Sequence, residues 1–83
     1  DELQNLRNGL TSALSVVSSG GRMVVVSYHS LEDRIVKQMF KEEEKTGGFK
    51  IITKKPLTAS DKEVRENPRA RSAKLRVIEK RKK

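Results

Sequence analysis

Residues 23–36 decide the fold: Met23-Val24-Val25-Val26-Ser27-Tyr28-His29-Ser30-Leu31-Glu32-Asp33-Arg34-Ile35-Val36. The unbroken apolar run Met23–Val26, extended through Ser27-Tyr28-His29, is short and rich in β-branched residues. It predicts a strand covered on both faces by helices, of the kind that normally belongs to a parallel sheet. Immediately after it, Leu31, Ile35 and Met39, with Val36 and Phe40, recur at helical spacing. Ser30 and Asp33 have the spacing of a capping box, and Gly47-Gly48 ends the helix.

Upstream, Leu3, Leu6, Leu10, Leu14 and Val17 form the stripe of an amphipathic helix, with Asp1 and Glu2 suited to its positive end and Gly20-Gly21 stopping it. Downstream, Phe49–Thr53 reads as a second strand, and Lys54-Lys55-Pro56 breaks the pattern into a loop or edge. Ser60-Asp61-Lys62-Glu63 has the S-x-x-E arrangement of a capping box and predicts a short helix ending near Asn67, before Pro68. Leu75–Ile78 is the last predicted strand. Residues 79–83 form a basic tail, expected to be mobile.

The chain has 83 residues, enough for one small domain and too few for separate cofactor and substrate lobes. Only 34% of it is hydrophobic, so a large core is not available. The net charge of +8 favours a polyanionic partner or an anionic surface. All of that excess lies after residue 45: the first part carries six Lys/Arg against seven Asp/Glu, the remainder thirteen against four. The absence of cysteine excludes disulfides and thiolate zinc sites, and a single histidine cannot supply a metal cluster. No apolar run is long enough to span a bilayer, and Asp1-Glu2 does not open a secretory signal. The chain starts inside a helical pattern without an initiator Met, as a piece of a longer protein would.

Two stretches concentrate chemistry. Ser27–Arg34 lies where a buried strand gives way to a helix, the place where open α/β sheets bind ligands. There His29 could accept a proton, Ser30 could donate a hydrogen bond, and the helix N-terminus favours an anion or polarised oxygen. The plainer alternative makes Ser30 an N-cap, Glu32 and Asp33 complements to the helix dipole, and His29 a solvated loop residue. The second stretch, Asn67–Arg76, places Arg69, Arg71, Lys74 and Arg76 within eight residues, an arrangement suited to phosphate contacts. Lys54, Lys55 and Lys80–Lys83 add to the same half. The alternative is internal pairing of Arg69 and Arg71 with Glu32, Asp33 or Glu66. No G-x-G-x-x-G or Walker-type loop is present to cradle a nucleotide cofactor.

Gly20-Gly21-Arg22, then Tyr28–Lys37, then Lys55-Pro56, then Asn67–Arg76 together resemble, in order, the C-terminal part of the MraW/RsmH family. Those enzymes are S-adenosylmethionine-dependent methyltransferases acting on the exocyclic N4 of a cytosine in small-subunit ribosomal RNA. The likeness covers essentially the whole chain and the last quarter to third of the family's length. Tyr28 stands where the family usually has Phe, and Ala70 where it usually has Ser. The resemblance implies an α/β fold, the C-terminal half of a Rossmann-like class I methyltransferase. Its small mixed sheet would have about three strands and flanking helices: Met23–Tyr28 the fifth strand, Phe49–Thr53 the sixth, and Leu75–Ile78 the seventh, antiparallel between them. The family's glycine-rich cofactor loop, acidic ribose-binding position and inserted helical domain would all precede Asp1. S-adenosylmethionine would therefore be bound by that missing half, and the fragment alone would be inactive.

For the site, the resemblance implies that His29 and Ser30 form part of the pocket wall beside the target base, with Glu32, Asp33 and Arg34 organising the loop. Lys54, Lys55, Asn67, Arg69, Arg71, Lys74 and Arg76 are the expected RNA contacts. The resemblance implies ribosomal RNA and the small ribosomal subunit as partners, in the cytoplasm or in an organelle of a eukaryote, with no membrane association. The open edge of the first predicted strand, or the face of the first helix, is expected to let the fragment self-associate. A competing reading is a stand-alone basic RNA- or ribosome-binding module without catalysis. A third is a purely structural completion domain.

Overall fold

The computed structural model describes residues 1–82. Helix α1 spans Glu2–Ser15, with Asp1 as its N-cap accepting from the Leu3 N–H at 2.9 Å. Strand β1 (Arg22–Ser27) leads into α2 (Ser30–Lys45), and β2 (Phe49–Ile51) and β3 (Leu57–Thr58) follow. A short α3 (Asp61–Glu66) and a 3₁₀ turn (Pro68–Ser72) then lead into β4 (Lys74–Lys80). The capping box read from Ser60 and Glu63 is formed in both directions.

Strand β4 is the centre of the sheet. It pairs antiparallel with β1 on one side, from Arg22 opposite Glu79 to Ser27 opposite Lys74. On its other side it pairs antiparallel with β2 and, further along, with β3. The last strand thus lies between the other two, as the family resemblance implies. The sheet has four strands rather than three, because the two-residue β3 is too short to leave a period-two signal. Among the described residues every pairing is antiparallel, which corrects the expected mixed sheet; β1 and β2 point the same way but are not paired with each other.

Alternation along the strands assigns the two faces. Met23, Val25 and Ser27 of β1, with Arg76 and Ile78 of β4, turn toward the helices, while Arg22, Val24 and Val26 turn away. The core fills the first face: Leu10 and Leu14 from α1, Ile35, Val36, Met39 and Phe40 from α2, Phe49 from β2 and Ile78 from β4. The opposite face is left open, with Val24 57% and Leu57 58% exposed. The expectation of helices on both faces of β1 is therefore corrected: within the described residues α1 and α2 cover one face, and the other is only bordered, at its Val26 end, by Glu63 of α3 and by Asn67 and Ala70.

The expected basic tail is also revised. Glu79 and Lys80 belong to β4, and Arg81 is held against β2, its backbone N–H donating to Gly48 O at 3.0 Å and its Nε to Phe49 O at 3.2 Å. Lys83 lies outside the described residues. Tight turns at Gly20 and Gly47 require positive φ, which explains glycine at both helix exits.

Candidate functional site at the carboxyl end of β1

The helix after β1 starts differently from the expected capping box. His29, in extended conformation, is the N-cap, and its Nδ1 accepts the Leu31 N–H at 3.1 Å. Ser30 is the first helical residue. Glu32 reaches back to accept the Tyr28 N–H at 3.4 Å, one residue before the N-cap, so the expected capping box of Ser30 and Asp33 is not formed.

Asp33 is freed from capping and points into the fold. Its Oδ1 accepts from Arg76 Nε at 2.7 Å and its Oδ2 from Arg76 Nη2 at 2.9 Å, a bidentate pair between α2 and the central strand. Both residues are buried, Asp33 to 6% exposure and Arg76 to 8%. Ser27 Oγ donates to Asp33 Oδ1 at 3.4 Å, and Lys74 Nζ stands 3.9 Å from Oδ2. The hydrogen bond from Arg76 holds the Asp33 carboxyl below its ordinary pKa, helped by the charges of Arg76 and Lys74 and by Ser27, and opposed by burial.

This pairing changes the expected list of RNA contacts. Arg76 is committed to Asp33 inside the sheet–helix interface and is not presented to a phosphate. The internal partner of Asp33 is thus Arg76, with Lys74 beside it, and not Arg69 or Arg71. Alternation foretells this: Arg76 shares the inward face with Ile78.

The two chemistry-bearing stretches converge. Tyr28, His29 and Ser30 from the end of β1 and the start of α2, with Ser72 and Lys74 from the other stretch, line an open cleft of about 360 Å³. Asn67 Oδ1 accepts the Arg69 N–H at 3.2 Å, starting the 3₁₀ turn, with Pro68 fixing its first residue. The turn then carries the Arg69 guanidinium over the Tyr28 ring, 5.8 Å from its centre. Arg71 and Arg34 are exposed. Lys54 and Lys55 are exposed as well, but Lys54 lies beside Lys37 and Lys41 of α2, away from the cleft. Ser72 and Tyr28 are not among the residues expected at the site; the signal for each is its place inside the Asn67–Arg76 block or the Ser27–Arg34 stretch.

The lining of the cleft is rich in hydrogen-bond donors and contains no carboxylate. Such a surface suits phosphate and carbonyl oxygens. Of the turn glycines, Gly47 and Gly48 face open space, whereas Gly20 abuts the Lys82 side chain. No chemical step through S-adenosylmethionine is assigned to these residues. No helix among the described residues is long and apolar enough to cross a membrane.

The chain is 48% identical to ribosomal RNA small subunit methyltransferase H of Bradyrhizobium diazoefficiens, over 95% of this chain and 28% of the relative. It is 53% identical to the protein of the same name from Chloroherpeton thalassium, over 95% of this chain and 29% of the relative. For the Sulfurihydrogenibium protein the figures are 49%, 93% and 26%. The chain thus spans about a quarter of the length of the curated relatives it matches. The MraW methylase family model matches residues 1–81, and the chain belongs to that family.

Proposed function

We propose that this chain is the C-terminal part of an S-adenosylmethionine-dependent methyltransferase that modifies the exocyclic N4 of a cytosine in small-subunit ribosomal RNA, working in the cytoplasm or in an organelle. The observation that carries the reading is the convergence of Tyr28-His29-Ser30 with Ser72 and Lys74 on one donor-rich cleft. A cytosine amine is a weak nucleophile because its lone pair is delocalised into the ring, so transfer depends on holding the nucleotide in line with the methyl group. The contribution of these residues is that positioning. His29 and Ser30 form part of the wall beside the base, Lys74 and the exposed Arg69 and Arg71 hold RNA phosphates, and Glu32 and Asp33 fix the loop through Tyr28 and Arg76.

The 83 residues alone are inactive in this reading, because the methyl donor is bound by parts of the protein outside them. Incubating the full-length protein with S-adenosylmethionine and small-subunit ribosomal RNA, then analysing the nucleosides by mass spectrometry, tests it. N4-methylcytidine is the expected product. A full-length protein that binds the RNA with steep salt dependence yet transfers no methyl group would favour the non-catalytic binding module instead.

A further inference from the structure

We propose that His29 has two divided roles: Nδ1 caps α2, and Nε2, carrying the proton, donates a hydrogen bond to an acceptor oxygen of the RNA rather than serving as the proton acceptor for the target amine. The geometry fixes the first role. Nδ1 accepts the Leu31 N–H at 3.1 Å, and a neutral imidazole that accepts at one nitrogen carries its proton on the other. Nε2 lies across the ring from that bond, so it points away from the helix start, and His29 itself lines the cleft. The donor side is therefore the one presented to a ligand. Its neighbours, the Ser30 and Ser72 hydroxyls and the Lys74 ammonium, carry donors as well, while the nearby carboxylates are engaged elsewhere: Glu32 with the Tyr28 N–H and Asp33 with Arg76. A cleft of this composition selects a group rich in lone pairs, a base carbonyl or a phosphate oxygen.

This rests on the cleft facing RNA, as proposed above, and the test separates the two claims. The full-length protein carrying ¹⁵N-labelled histidine is examined by NMR at alkaline pH. The expected result is an unprotonated Nδ1 and a protonated Nε2; a protonated Nδ1 would overturn the assignment whatever the enzyme does. Inorganic phosphate moves the Nε2 signal if the oxygen is a phosphate's, and cytidine moves it if the oxygen is a base carbonyl. Silence toward both overturns the contact.

Two variants then divide the roles. Asn places its amide oxygen where Nδ1 stands, whereas Gln places its amide N–H near Nε2. His29→Asn is expected to keep the melting temperature and lose at least tenfold in kcat/KM. His29→Gln is expected to melt a few degrees lower and to retain most of kcat/KM. The reverse pattern would overturn the division. If the wild-type protein methylates no ribosomal RNA, the functional reading fails, while the histidine signals still decide the tautomer.

Discussion

Asp33 and Arg76 are 43 residues apart in sequence and form a bidentate ion pair that ties the N-terminal turn of α2 to the central strand. The same carboxylate holds Ser27 at the end of β1 and stands near Lys74 at the start of β4. One buried charge therefore sets the distance between the two stretches that line the cleft.

Removing one partner should be costly. A buried ion pair contributes little over an apolar pair of similar volume, but a lone buried charge costs roughly 3–5 kcal/mol. Asp33→Asn and Arg76→Met, each alone, are expected to destabilise by about that amount in denaturant titrations. The double variant should lose much less than the sum of the two. Additive losses would show that the pair is not coupled.

The same pair gives acid lability. Because the folded Asp33 carboxyl lies below its ordinary value of 3.8, the unfolded chain takes up a proton first as pH falls. Its contribution is complete above that ordinary value and is lost as pH drops through the lower, folded one. Asp33→Asn should flatten the stability–pH curve in that acidic window and leave its neutral part parallel to the wild type.

Helix α3 has no buried residue, so its stability depends heavily on the Ser60–Glu63 box. Ser60→Ala is expected to cost about 1 kcal/mol, measured as local loss of amide protection across residues 61–66. Unchanged exchange there would show that packing alone holds the segment.

Exposed cations on the 3₁₀ turn should act through phosphate. Replacing Arg69 and Arg71 together by Ala is expected to weaken RNA binding by the full-length protein and to reduce the slope of log affinity against log salt by about two. Arg76 substitutions should instead appear mainly as instability. An unchanged salt slope for the Arg69/Arg71 variant would remove these residues from the interface.

Strand β1 offers an edge with no strand partner among the described residues, next to the exposed Val24 and Val26. Isolated residues 1–83 are expected to self-associate through it, seen as a concentration-dependent mass in light scattering. Val24→Lys should reduce that association. A constant monomer mass at high concentration would contradict the expectation.

Much of the architecture is legible in the sequence because its signals are periodic. The leucine stripe of α1, the Met23–Val26 run and the Ser60–Glu63 box all report local structure directly. What is not legible depends on partners distant in sequence. Ser30 and Asp33 have capping-box spacing, yet His29 caps the helix because Asp33 is drawn inward by Arg76, a competition that local spacing cannot express. Arg76 reads as one more cation in a basic block until strand alternation is combined with the register that buries it. The site residues His29-Ser30 and Lys74 are readable as two separate stretches, and only the β1–β4 pairing brings them to one cleft.

The most direct test of the account is where RNA lies against that cleft. A photo-cross-linking side chain placed at Ser72 of the full-length protein, irradiated with small-subunit ribosomal RNA, should yield adducts within a few nucleotides of the methylated cytosine. A control position at Lys62 on α3 should yield none there. Adducts from Lys62 at the methylated site, with none from Ser72, would contradict the assignment of the cleft as the RNA-facing wall.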